Sequence, residues 1–195
     1  MKPGNIKKTT ITKTLAITTI AGLSAITIGC STGMHKSKTM TAKNDGDIMV
    51  PANYRSWPKF VSTVDKMKTG QVREIYINKT GMKTQKGNAF PDGTVSIMEI
   101  YGAQKSPTGE LLKDSKGKLI KGKLSKVFVM EKGAGWGSKQ AKGTINNGDW
   151  LYGAYLADAK TPATKDFTSC RSCHAPLADK DYIFRYDEHF DTAMH

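Results

Sequence analysis

Cysteine is scarce in this chain. Three cysteines in 195 residues cannot staple a fold of this length, so a disulfide scaffold is excluded. Aromatic residues are few, at 8%, and the 19 glycines follow no period, which excludes a collagen-like chain. With 38% hydrophobic residues the chain is not starved of apolar side chains, so full disorder is excluded as well. Nothing repeats at an interval of about 20–50 residues, which argues against solenoids and propellers. Acids are outnumbered: 17 Asp and Glu against 30 Lys and Arg give a formal charge of +13. The length suits one domain with a modest core.

The N-terminus has its own pattern. Met1 to Lys13 carries Lys2, Lys7, Lys8 and Lys13 and no acid, and the 15 residues Thr14 to Ile28 carry no charge. A basic segment followed by a short apolar one reads as an export signal, since a bilayer-spanning helix needs about 20 residues. Gly29-Cys30-Ser31 comes next. A small residue before a cysteine at this place resembles the lipobox of bacterial lipoproteins, with Thr27 where that motif usually has Leu. On that reading residues 1–29 are removed and Cys30 is lipidated, anchoring the chain on the periplasmic side of a bacterial membrane. The other reading is an ordinary secretory signal with Cys30 left as a free thiol. Either way the chain is exported, and loss of residues 1–29 leaves a charge of +9. Nucleic acid is then a poor partner. An anionic membrane surface or an acidic redox partner fits the charge better.

Residues 30–53 are rich in Thr, Lys, Ser, Asn and Asp and read as a flexible tether, with a folded domain over 54–195. Phe60, Val61, Val64 and Met67 recur at helical spacing and predict a helix over Trp57 to Met67, with Pro58 near its start. Strands are predicted over Val72 to Asn78, Thr94 to Tyr101, Lys126 to Met130 and Trp150 to Leu156. In the second, Val95, Ile97 and Glu99 share one face and Ser96, Met98 and Ile100 the other. Lys105 to Ser125 reads as a long polar hairpin with Asp114-Ser115-Lys116-Gly117 at its tip, its lysines solvated. Pro162 to Cys173 reads as loop then short helix, and Tyr182 to Tyr186 as a last short strand. The expected class is mainly β (α+β): an antiparallel sheet with an N-terminal helix and a short helix near the C-terminus. No βαβ pattern occurs, which argues against a doubly wound sheet.

Cys170-Arg171-Ser172-Cys173-His174 is a c-type haem attachment sequence. On a helical turn the two thiols face one side and can add to the two haem vinyl groups. His174 follows directly and is placed to ligate the iron. Export agrees with this, because such haem is attached outside the cytoplasm. A thioredoxin-like dithiol would want a βαβ frame, which is missing. A zinc site would have to draw on His189, His195 and carboxylates. The expected cofactor is therefore one covalently bound haem c. For the opposite side of the iron, His189, Met194, Met130 and Met98 are candidate ligands. His189, Met194 and His195 read as solvated tail and the other two methionines as core, while His35 in the tether reads as incidental. An open position for a small molecule follows.

Phe90-Pro91-Asp92-Gly93-Thr94-Val95, then Val127-Phe128-Val129-Met130-Glu131-Lys132, Gly135-Trp136-Gly137, Gly148-Asp149-Trp150, the haem motif and Asp181-Tyr182-Ile183-Phe184 stand in the order seen in cytochrome P-460 proteins. The chain resembles that family, and its relatives the cytochromes c′-beta, over roughly Tyr54 to Phe184. The resemblance implies a mainly antiparallel β fold, usually a homodimer. It also implies a five-coordinate haem with the motif histidine, here His174, as axial ligand. In cytochromes P-460 a lysine is also cross-linked to the macrocycle and hydroxylamine is oxidised. In the c′-beta relatives the link is missing and an apolar pocket, often rich in phenylalanine, binds nitric oxide and similar gases.

The branch turns on individual side chains. Lys83, between the first strand and the FPDG turn, is the cross-link candidate. Asp179, Asp181 and Glu99 are candidate proton acceptors, and Phe60, Phe90, Met82 and Trp136 candidate pocket walls. The leading reading is an exported haem protein that oxidises hydroxylamine or a related small nitrogen compound and passes electrons to an external redox partner. Gas binding without turnover and a six-coordinate electron carrier are the alternatives.

Overall fold

A computed structural model of the protein describes residues 43–192. Five strands form one antiparallel sheet in chain order: β1 Lys59–Lys66, β2 Gln71–Ile77, β3 Val95–Ala103, β4 Lys121–Lys132 and β5 Trp150–Leu156. Each strand pairs with the next, a meander that needs no long crossover. Two short helices follow, α1 Thr168–His174 and α2 Tyr186–Thr192. The mainly β class is thus as expected, with a short helix carrying the cysteine motif.

Alternation along the strands splits the side chains between two faces. Ile97, Val127, Val129, Leu151 and Tyr155 form one core with Ile48, Tyr54, Tyr76 and Trp136. On the other face Ile77 and Trp150 join Phe60, Val61, Val64, Phe90, Ile183 and Tyr186. Cross-strand rows there run Ile75–Met98–Phe128–Ala154 and Ile77–Ser96–Met130–Tyr152. Apart from Ile77, the residues of these two rows form the floor of the site described below.

Three sequence expectations are corrected. The helix predicted over Trp57 to Met67 is strand β1. Relative to β2, β1 carries an extra residue between Lys59 and Val61 and another between Val61 and Val64. These bulges bury Phe60, Val61 and Val64 together and so imitate helical spacing, while β-branched Val61, Thr63 and Val64 favour the extended chain. The strand predicted over Tyr182 to Tyr186 is a turn that leads into α2. Asp181, Tyr182 and Arg185 adopt φ of 48°, 61° and 59°, which no strand tolerates. Residues 43–53, read as the end of a tether, are part of the fold: Ile48 is fully buried and the Gly46 N–H donates to the Tyr152 carbonyl at 2.8 Å. The export signal, Cys30, His35, Met194 and His195 lie outside the described residues. No described helix is long and apolar enough to cross a membrane.

The Gly-Ala-Gly-Trp-Gly run after β4 has a steric cause. Trp136 is fully buried over Gly133, where a Cβ would overlap its indole, and a Cβ on Gly137 would strike the Gly148 carbonyl. Gly137→Ala is expected to cost about 1–3 kcal/mol by overpacking, read as a lowered denaturation midpoint at constant slope. Gly102→Ala, where a Cβ meets open space, should cost far less than that in the same measurement.

Candidate functional site

Helix α1 is fastened to the sheet by the residue inside its own motif. Arg171 is buried; its Nε and Nη2 donate to the Asp45 carboxylate at 2.7 and 3.0 Å, and its Nη1 to the Ile145 carbonyl at 3.1 Å. Its carbonyl accepts from Asn147 Nδ2 at 3.2 Å, and its guanidinium lies 5.6 Å from the Tyr152 ring centre. Asp45 also accepts the Tyr152 N–H at 3.0 Å. A two-pronged pair of this kind fixes orientation as well as position. It holds α1 against β5, so Cys170, Cys173 and His174 all line one cavity.

That cavity has a volume of about 390 Å³. Phe60, Val64, Ile75, Met98, Phe128, Met130 and Ala154 give it apolar walls, and the two cysteines, His174, Ile183 and Phe184 close it from the helix side. Among the described residues no aspartate or glutamate lines it.

His174 is set up as a ligand. Its Nδ1 is 2.7 Å from the Tyr182 carbonyl, so the Nδ1–H donates there and Nε2 keeps its lone pair. The left-handed backbone at Tyr182 belongs to the turn that presents this carbonyl. Burial lowers the pKa of the imidazole, which favours the neutral, ligating form. Tyr152 and Phe184 flank the ring, with centres 5.3 and 5.0 Å away. Cys170 and Cys173 are unpaired thiols, and burial pushes that of Cys170 up.

The donor set fits a haem c: two thiols a helical turn apart, one imidazole with a free Nε2, and apolar walls. The Tyr152 hydroxyl supports the fit. It is buried on the cavity wall and has no hydrogen-bond partner, which is costly unless an occupant supplies an acceptor. Among the described residues no cluster of three or more His, Cys, Asp or Glu is placed to hold a bare metal ion.

The other sequence candidates scatter. Glu99 lies on the opposite face of the sheet, fully buried among Tyr54, Arg55, Tyr76 and Tyr101. Asp181 takes both prongs from Lys132 at 2.9 Å and the Phe90 N–H at 2.8 Å, tying the FPDG turn to the loop after α1. Asp179 is exposed. Lys83 is exposed in a short 3₁₀ turn, Gly81–Lys83, and does not line the cavity. Phe60 does line it, whereas Phe90, Met82 and Trp136 do not. Met98 and Met130 stand on its wall. His189, expected in solvent, is instead 4% exposed; its Nδ1 is 2.9 Å from the Phe60 carbonyl and its ring stacks on Phe60 at 4.1 Å. Helix α2 holds it there.

Sequence reasoning missed Lys66, Arg73, Lys165 and Arg185, the four cations on the cavity lining, and the Phe128 wall. Strand alternation carried part of the signal, because Ser96 and Met98 were read on one face and Phe128 pairs directly with Met98.

The model of the cytochrome P460 family matches residues 51–185, a span that includes all five strands and the cysteine–histidine motif. No curated protein matches the chain. A match over most of the length, with the haem-binding donor set gathered in one cavity, makes the chain a haem protein of the cytochrome P460 family.

Proposed function

We propose that the protein is an exported c-type cytochrome that binds a small nitrogen oxide such as nitric oxide at its haem without turning it over. Cys170 and Cys173 hold the haem as thioethers: each S–H adds across a vinyl group, forming the S–C bond and placing the hydrogen on the other vinyl carbon. His174 Nε2 ligates the iron. A haem so held would supply an iron able to bind a small ligand. Tyr182 fixes the tautomer and direction of the imidazole, and the Arg171–Asp45 pair fixes α1. The chain is anchored by lipid at Cys30, forms homodimers, and exchanges electrons with an external redox partner.

One observation supports the binding reading over hydroxylamine oxidation: the cavity is walled by apolar side chains and four cations and offers no carboxylate among the described residues. Oxidation of hydroxylamine releases protons, and a base near the reacting nitrogen takes them. Glu99 faces away, and Asp181 is engaged by Lys132. A lysine cross-link would also have to come from Lys66 or Lys165, the two lysines on the lining, rather than from Lys83.

Mass analysis of the haem peptide tests this, paired with two assays. The expected result is haem on two cysteines and no lysine, a saturable nitric oxide complex of the reduced protein, and no oxidation of hydroxylamine with an added electron acceptor. A lysine-linked haem with turnover would overturn it. A low-spin six-coordinate spectrum in both oxidation states, with Met98 or Met130 as the second ligand, would overturn it in favour of an electron carrier.

A further inference from the structure

A third cross-strand row borders the cavity floor on the side of the β1–β2 turn: Val64–Arg73–Ile100–Lys126–Leu156. Its residues share strand parity with Ile75, Met98, Phe128 and Ala154, so the row faces the same way as the cavity. Lys66, two residues beyond Val64, lines the cavity with Arg73, and Lys165 and Arg185 line it from the segments before and after α1. Lys66 and Lys126 are exposed and Arg73 is half-buried. These three form no ion pair among the described residues; Arg73 Nε and Nη2 reach only the neutral Gln71 amide oxygen, at 3.4 and 3.0 Å. Flanking acids are turned to other work: Asp65 accepts the Leu119 N–H at 3.0 Å, Asp166 the Thr168 N–H at 2.9 Å, and Glu188 pairs with Arg185.

Two apolar side chains interrupt this cationic rim. Leu156, at the end of the row, and Phe184, on the cavity lining beside the His174 ring, are 44% and 45% exposed. Cys173 is exposed as well, and Arg73 is near enough to its sulfur to interact with it electrostatically. The attachment cysteine therefore stands at the surface within the rim. A surface of unpaired like charges repels itself and attracts an anionic partner. A bilayer would want a continuous apolar face, which Leu156 and Phe184 alone do not make. Electron-transfer encounters between proteins are small contacts steered by complementary charge, and this rim has that composition. Resting on the haem reading above, we propose that the rim is the docking face for an acidic one-electron carrier protein, whose carboxylates meet Lys66, Arg73, Lys126 and Lys165 while Phe184 and Leu156 make the apolar contact. One electron passes from the reduced carrier to the ferric haem, which becomes ferrous as the carrier is oxidised; no bond forms or breaks.

The test uses the mature holoprotein, its covalent haem measured first by the pyridine haemochrome, and a reduced acidic ferredoxin as the probe, mixed by stopped flow. The wild-type rate constant is expected to fall steeply as salt rises. Lys66→Glu and Lys126→Glu should each slow the reaction, together by about tenfold at low salt, and should flatten its salt dependence. Lys139→Glu makes the same change of charge at an exposed position in the turn after β4 and should alter the rate little. Reduction by the methyl viologen radical, a small cation, should not slow in any variant, and the midpoint potentials should agree, as they would not if the haem site were damaged. With haem intact, equal ferredoxin rates in the Lys66→Glu, Lys126→Glu and Lys139→Glu variants would overturn the docking face alone. Lost binding to phosphatidylglycerol vesicles in the first two, with ferredoxin rates unchanged, would overturn it in favour of a lipid surface. A wild type without covalent haem would overturn the haem reading and this face with it.

Discussion

Alanine at both Cys170 and Cys173 is expected to give a protein without covalent haem, whereas His174→Ala keeps the haem and changes only its ligation. The two variants separate two jobs that the motif combines. The thiols line the cavity from one helical turn, and both are unpaired, so they are available for bond formation. His174 is held by Tyr182 through Nδ1, a contact within the protein that does not depend on the thioethers. Without the thioethers, a lone imidazole must retain the haem by one coordinate bond, and the apolar cavity of about 390 Å³ then stands empty in most molecules. Denaturing electrophoresis with haem staining should therefore show no signal for the double variant and a strong one for His174→Ala. The absorption spectrum of His174→Ala should differ from wild type at the same haem content. Thermal unfolding of the double variant should begin at a lower temperature, because the walls lose the contacts the haem supplied. Stoichiometric haem in the double variant after denaturation would show that these thiols are not the attachment points.

The molecule divides sharply between what local order encodes and what only folding brings together. Strand β5 occupies Trp150–Leu156, the span its sequence predicts, because six of its seven residues are buried and no breaker interrupts them. The haem motif was legible for the same reason: its chemistry lies within five consecutive residues. Parity along β3 was also legible, with Glu99 on one face and Met98 on the other. Which face would hold the haem was not, since that depends on where α1 docks. Docking is set by Arg171 and Asp45, 126 residues apart, a pair that no local pattern announces. Strand β1 shows the reverse failure. Its pattern was clear but carried the wrong period, since two bulges rewrote an alternation as something close to a helical repeat. His189 was misjudged through its position near the chain end, because its burial comes from Phe60, 129 residues earlier.

Glu99→Ala is expected to be among the most destabilising substitutions in the chain while leaving the ligand chemistry of the haem unchanged. Glu99 is fully buried and accepts from four side chains. Tyr54 OH and Arg55 Nε donate to Oε1 at 2.5 and 2.8 Å, and Tyr101 OH and Tyr76 OH to Oε2 at 2.6 and 3.3 Å. Alanine strands the Tyr54 and Tyr101 phenols, leaves Tyr76 OH to Glu74 alone at 3.2 Å and weakens the hold on a guanidinium, and breaking a buried ionic cluster of this kind costs about 3–5 kcal/mol. Glutamine keeps one acceptor and should cost less. The effect has a pH signature. Burial by itself would raise the carboxyl pKa, but hydrogen bonds from Tyr101, Tyr54 and Arg55 outweigh it and hold the group below its ordinary 4.5. A depressed folded-state pKa adds stability that is present above about pH 4.5 and is lost as pH falls through the lower folded value. The three tyrosines give the opposite limb. Burial, reinforced by Glu99, raises their pKa values well above 10, so their contribution is whole below pH 10 and drains away as pH climbs beyond it. Denaturant unfolding of wild type should therefore show stability falling on both sides of a neutral plateau, and Glu99→Ala should flatten the acid limb. Nitric oxide titration of the same variant should match wild type, since the sheet separates Glu99 from the cavity. Lost ligand chemistry with unchanged stability would instead assign Glu99 a direct role at the haem, against the face on which its strand places it.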